Sequence, residues 1–221
     1  MGKSPQRGGQ SQACVVRFEP RSDAQYEAAR LYASSDVLFL LGPAGCGKTV
    51  AAVGLAAADV VSPGSPRRRV VCVRPAVEAD RGLGFLPGDL SEKLAPYTQP
   101  VKHSLAKVSY RFPAELISYE ALAFARGVTY EDCVVILDEA QNCSAHQLKL
   151  FLTRLGRNCR MVVTGDPGQS DVRATHRDYD CDLDYVVERL EGLPGVGVVD
   201  FPEGDSLRHP LVGRILARLQ D

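Results

Sequence analysis

The octapeptide Gly42-Pro43-Ala44-Gly45-Cys46-Gly47-Lys48-Thr49 constrains this chain more than any other feature. Its spacing, GxxxxGK[ST], has physical sense only between a strand and a helix. Both flanks are present. Val37-Leu38-Phe39-Leu40-Leu41 is an uninterrupted apolar run that reads as a buried strand, and the Ala-rich stretch from Val50 to Ala58 reads as a helix. Glycines let backbone amides converge on an anion, and the helix N-terminus adds partial positive charge. Lys48 is long enough to reach the outer phosphates of a nucleotide, and Thr49 would hold magnesium by its hydroxyl. The expected nucleotide-binding set is Gly42, Pro43, Ala44, Gly45, Cys46, Gly47, Lys48, Thr49 and Val50.

Composition sets bounds on what surrounds this loop. A chain of 221 residues, 45% hydrophobic and 24% charged, can bury one sizeable core. We expect a single domain over 16–221, preceded by a polar, glycine-rich tail, 1–15, that is expected to be disordered. The net charge of -1 excludes a global basic footprint, so any nucleic-acid surface must be local. No apolar run approaches the ~20 residues of a spanning helix, and no hydrophobic signal segment opens the chain, so a cytoplasmic location is expected. The seven cysteines are odd in number and never spaced CxxC, which argues against zinc or a disulfide framework. Cys72 and Cys133 lie in or beside apolar runs and read as small core residues.

Short apolar runs alternate with helical stretches, the pattern of parallel strands joined by crossover helices, so the fold class is α/β with a mostly parallel sheet. Predicted strands are Val37 to Leu41, Val70 to Val73, Cys133 to Leu137, Met161 to Thr164 and Val196 to Phe201. Predicted helices are Ser22 to Tyr32, Val50 to Ala58, Tyr119 to Ala125, Ser144 to Arg154, Leu183 to Glu191 and His209 to Leu219. Between Pro75 and Pro113 the pattern is weak and rich in Gly and Pro, as in a long excursion over the sheet. Arg67-Arg68-Arg69 reads as a solvated turn, with phosphate contact as the alternative.

Two further constellations bear on chemistry. The run Val134 to Leu137 ends in Asp138-Glu139, which puts both carboxylates at the C-terminal end of a buried strand, where open α/β sheets bind ligands. Asp138 is the expected magnesium ligand, through water, and Glu139 the group that polarises an attacking water. Met161-Val162-Val163-Thr164-Gly165-Asp166-Pro167-Gly168-Gln169 is a strand with a polar turn at its tip. There Gln169 is a candidate γ-phosphate sensor, and Asp166 a ligand for the attacking water or the magnesium shell.

These strings, with Gly84-Phe85-Leu86-Pro87-Gly88, Pro96-Tyr97, Arg126-Gly127, Ala140-Gln141-Asn142, Leu152-Thr153-Arg154-Leu155-Gly156 and Arg208-His209-Pro210-Leu211-Val212, together resemble the PhoH-like ATPases. The likeness runs from about residue 16 to the last residue. It implies a three-layer, RecA-like P-loop NTPase akin to one lobe of superfamily-one helicases, with ATP and Mg2+ as ligands and a looser link to RNA metabolism and phosphate starvation. Residue by residue it makes Lys48, Glu139, Gln169 and Arg208 the catalytic set and Thr49 and Asp138 the metal ligands, with Arg208 neutralising charge. Gln25, seventeen residues before Gly42, matches a glutamine that reads the adenine edge; the alternative is an exposed helical side chain. Arg74 could face phosphate or nucleic acid, and Arg154 could simply complement a helix end.

The sequence departs from the family at Cys46, where Thr is usual. A thiol beside the phosphates, if its pKa were lowered, would make nucleotide binding sensitive to oxidation. Asp178 to Asp182 mimics the start of a calcium loop, but Leu183 and Arg189 occupy its required glycine and glutamate positions, so a solvated loop is expected. His176-Arg177-Asp178 echoes a kinase triplet without the rest of a kinase. Room for one lobe only predicts a homo-oligomer, a ring being one form, in which a neighbour supplies an arginine, and no nuclease module. Three functions compete: an ATPase acting on RNA or single-stranded nucleic acid, a small-molecule kinase, and a nucleotide-gated assembly or binding module with slow hydrolysis.

Overall fold

The computed structural model describes residues 16, 18–75, 90–109, 111–170, 174–176 and 178–202, with isolated positions near the end of the chain. Its centre is a six-stranded sheet of order β3-β2-β4-β5-β1-β6. The strands are β1 (Val37–Leu41), β2 (Arg69–Arg74), β3 (Ile117–Ala121), β4 (Cys133–Leu137), β5 (Arg160–Gly165) and β6 (Val196–Asp200). Every pairing is parallel. β1, β2, β4 and β5 are buried on both faces, which is why they read as continuous apolar runs. Alternate residues divide between two cores: Phe39 and Val135 pack under α4 (Ala145–Leu152) and α5 (Asp182–Leu190). Leu38, Leu40 and Ile136 pack under α1 (Asp23–Ser34) and α2 (Lys48–Val61) on the other face.

Helix ends follow local chemistry. Ser22 caps α1, and a full capping box of Ser144 and Gln147 starts α4. α2 differs: its N-cap is Gly47, in the left-handed region at φ 95°, and it makes no side-chain cap. A helix start without a side-chain cap suits an anion.

Three sequence expectations are corrected here. Tyr119 to Ala125 is not a helix: Ile117–Ala121 is the sheet's edge strand β3, and Leu122–Ala125 a 3-10 turn. Ile117 and Tyr119 alternate with Ser118 and Glu120, and the apolar pair packs on the α2 side, so period two prevails over helical propensity. The stretch after Pro75 is not wholly an excursion, because Leu90–Val108 forms the 19-residue helix α3, which continues through Pro96 and Pro100. Arg67 is no solvated turn residue: it pairs with Asp59 at 2.6 Å, and Asp59 also accepts from Tyr32 and Ser65. Burial of Asp59 opposes ionisation, but hydrogen bonds from Arg67, Ser65 and Tyr32 hold its carboxyl below the usual range.

The end of the calcium-like stretch is also buried rather than solvated. Asp182 opens α5, is 3% exposed, and accepts from the Ala145 and Thr175 amides at 2.9 and 2.8 Å. Six described cysteines are free and buried, Cys72 and Cys133 among them. Among the described residues no helix is long and apolar enough to cross a membrane. Arg208, the expected helix His209 to Leu219 and the Gly84 to Gly88 string lie outside the described residues, isolated positions apart.

Candidate phosphate-binding and hydrolytic site

Gly42 to Thr49 links β1 to α2 across the C-terminal edge of the sheet. Gly42 is obligatory there: at φ 134° it also passes so near the Phe201 backbone that an added Cβ would lie 2.2 Å from the carbonyl oxygen. A cavity of about 350 Å³ opens above the loop, lined by Ala44, Gly45, Gly47, Lys48, Thr49 and Val50 together with Asp138, Glu139, Thr164, Asp166 and Gln169. The three sequence constellations therefore meet in one place. Gly42 and Pro43 contribute carbonyls rather than lining: Lys48 Nζ donates to them at 2.5 and 2.7 Å.

Asp138 is the hub. It is 2% exposed, and its Oδ1 accepts from Thr49 Oγ1 at 3.1 Å and Thr164 Oγ1 at 2.6 Å. Its Oδ2 accepts from the Arg74 guanidinium at 2.7 Å, and the same Nη2 lies 3.5 Å from Glu139 Oε1. Arg74 thus faces carboxylates, where the sequence allowed phosphate or nucleic acid. Glu139 sits in the left-handed region at φ 61°, a conformation that costs a side-chain-bearing residue of the order of 1–3 kcal/mol. Its carboxylate is half-exposed toward the cavity and is held by Gln141 Nε2 at 2.7 Å. The other end of that amide, Gln141 Oε1, accepts from the Asp166 backbone N–H at 3.1 Å.

Gln141, Thr164 and Arg74 are the side chains to which residue-by-residue reading assigned no such role. Gln141 is two residues past Glu139 in a 3-10 turn, so its carboxamide can turn back onto the carboxylate; spacing alone carries no such signal. Lys107, at the end of α3, also reaches the cavity, from a helix that the sequence hid. Asp166 caps its own turn, Oδ1 accepting from Gly168 N at 3.2 Å, whereas its buried Oδ2 has no hydrogen-bond partner among the described residues.

Gln25 and Cys46 stand apart. Gln25 is 4% exposed, not a solvated helical side chain: its Oε1 accepts from Arg21 N at 2.8 Å, and its Nε2 lies against Gly47. It is within the loop's packing shell but outside the cavity lining. The Cys46 thiol turns into the core, 1% exposed, donating to Pro43 O at 2.9 Å. Burial pushes its pKa up, outweighing the opposing influence of Lys48, so the lowered pKa on which oxidation sensitivity was made conditional is not found. Arg154 donates to Leu150 O at the end of α4, in accord with its helix-end reading.

A family model described as PhoH-like protein matches residues 17–220. The chain belongs to the PhoH family. It is 39% identical over 207 residues to a PhoH-like protein of Bacillus subtilis, covering 91% of this chain and 63% of that protein. It is 40% identical over 204 residues to Protein PhoH of Escherichia coli, covering 89% of this chain and 56% of the relative. This PhoH-family chain therefore spans about three fifths of these two curated relatives. Among solved structures, the large terminase of a thermophilic bacteriophage superposes with a TM-score of 0.56 at 11% identity, covering 92% of this chain and 51% of the terminase. That likeness concerns the fold, a RecA-like P-loop core with helices on both faces of an all-parallel sheet.

Proposed function

We propose that this PhoH-family chain binds ATP with magnesium in the cytoplasm, hydrolyses it by attack of water, and couples the cycle to RNA or another single-stranded nucleic acid. One observation supports the reading above others: the Lys48 and Thr49 loop shares a cavity with Asp138 and with Glu139, whose carboxylate is oriented by Gln141. A transferase that must exclude water has less use for that second, half-exposed carboxylate.

In this reading Lys48 exchanges two neutral carbonyl acceptors for phosphate oxygens, a charge-assisted and stronger contact. The amides of the uncapped Gly47 turn receive the remaining phosphate charge. Thr49 and Asp138, an oxygen-only pair already converged on each other, suit magnesium, Asp138 acting through water; the unpartnered Asp166 Oδ2 offers a further acceptor. When bound, the ion would neutralise charge on the transferred phosphoryl group. Glu139 accepts the proton of the attacking water, and Gln169 senses the γ-phosphate. Gln25 is assigned to the adenine edge. Arg208 supplies positive charge late in the reaction, in its own subunit or across an interface of a homo-oligomer.

The test is phosphate release by the purified chain with and without RNA. Magnesium-dependent release that rises with RNA and disappears in Glu139→Gln is the expected result. Release that RNA leaves unchanged, with ATP-dependent assembly instead, would transfer the function to a nucleotide-gated module. Phosphate appearing on an acceptor molecule would make it a kinase.

A further inference from the structure

A second groove lies away from the phosphate site, on the sheet face that carries α4. It has a volume of about 520 Å³, and it is lined by Leu122, Ala123, Ala125, Arg126 and Gly127 from the turn after β3, and by His146 and Leu150 of α4 with Arg154 just past its end. In a chain of net charge -1, no carboxylate among the described residues lines it. Arg126 is exposed and has no ion pair among the described residues, and Arg154 bonds only neutral oxygens there, Leu150 O and Thr153 Oγ1. Phe124, between the groove-lining Ala123 and Ala125 in the same turn but not itself part of the lining, is 55% exposed. Cationic forks next to an uncovered aromatic face are the two elements of a single-strand platform: guanidinium for phosphate, ring for base. An acidic peptide would use the arginines but leave the ring without purpose.

Both walls are tied to the hydrolytic carboxylates. The turn follows Ala121, the register partner of Arg74, which holds Asp138 and Glu139. α4 begins at the Ser144 cap, directly after the 3-10 turn that carries Gln141. A change at Asp138 or Glu139 therefore has a covalent and ion-paired route to each wall.

We infer that this groove binds single-stranded nucleic acid, Arg126 and Arg154 taking backbone phosphates and Phe124 stacking a base, a partner class that rests on the function proposed above. The groove offers nothing specific to a 2′-hydroxyl, so RNA and DNA bind it comparably.

Fluorescence anisotropy with labelled oligouridylate and oligothymidylate tests this, with polyglutamate as a third probe. The expected result is binding of both oligonucleotides and not of polyglutamate. Arg126→Ala/Arg154→Ala should weaken it roughly tenfold or more and flatten the dependence of log affinity on log salt by about 0.7 per lost phosphate contact. Phe124→Ala should cost on the order of tenfold through lost stacking. Lys149→Ala, exposed on α4 but outside the groove, should change little, and nucleotide binding by all variants should match the parent. Oligonucleotide binding that survives the arginine and Phe124 changes, or falls equally in Lys149→Ala, would overturn the groove while leaving the nucleic-acid reading intact. Absence of oligonucleotide binding by the parent, or preference for polyglutamate, would overturn both, with ATP hydrolysis still measurable on its own.

Discussion

At the scale of single residues, the site depends on how one carboxylate is aimed. Glu139 has an unfavourable backbone conformation and a side chain half in solvent, so without a partner it would sample several rotamers. Gln141 removes that freedom with a 2.7 Å bond and is itself fixed by the Asp166 amide. Truncating it, as Gln141→Ala, leaves Lys48, Thr49 and Asp138 untouched. We predict that kcat for ATP falls about tenfold, a fraction of the ~10²–10⁴ attributed to a positioned general base, with KM little changed. Steady-state phosphate release measures both; a rise in KM at unchanged kcat would place Gln141 in binding instead. Glu139→Gln should lose the full factor. Arg74 balances Asp138 and Glu139 at once, so Arg74→Ala should also weaken magnesium-free packing of the site, read as a lower thermal midpoint without nucleotide.

At the scale of elements, the chain joins α4 to α5 through one buried carboxylate. Asp182 accepts from the Ala145 amide of α4 and from the Thr175 amide and hydroxyl. Burial disfavours its ionised form, yet those hydrogen bonds prevail and hold its carboxyl below the usual carboxylate range. A lowered folded-state pKa contributes stability that is complete above the unfolded aspartate value of about 3.9 and is lost as pH falls through the lower folded value. Asp182→Asn should therefore destabilise the parent by about 1–3 kcal/mol at neutral pH, and the gap between the two urea midpoints should close below about pH 4. A constant gap across that range would refute the assignment. Elements also differ in how far the sequence displays them. β1, β4 and α2 were legible because buried parallel strands and an Ala-rich helix carry their burial in composition. β3 and α3 were not, because Ile117–Ala121 is only half-buried at a sheet edge and two prolines interrupt the helical period of Leu90–Val108. Asp138, Glu139, Lys48 and Thr49 stood at motif spacing. Thr164 and Arg74 reach the same point only through the parallel register that sets β2, β4 and β5 side by side, and no local spacing encodes that; Gln141 reaches it through the 3-10 turn that follows β4.

At the scale of the molecule, the C-terminal edge of the sheet gathers the 42–49 loop, Asp138, Glu139 and Gln169 around one cavity, but the described residues place no free arginine over it. Arg74 is committed to Asp138 and Glu139, and among the described residues the cations that line the cavity are Lys48 and Lys107. Phosphoryl transfer in other P-loop systems gains ~10³–10⁵ in rate from an arginine aimed at the developing charge. If Arg208 of a neighbouring subunit supplies that charge, turnover requires contact between copies. Specific activity per chain should then fall steeply on dilution, in step with dissociation seen by light scattering. Mixing supplies a sharper form of the same prediction. Glu139→Gln lacks a base but keeps Arg208, whereas Arg208→Ala keeps the base; each should be nearly inactive alone, and an equimolar mixture should regain roughly a quarter to a half of parental activity through shared interfaces. An arginine acting within its own subunit would leave the mixture as inactive as its components, and activity independent of dilution would agree with it.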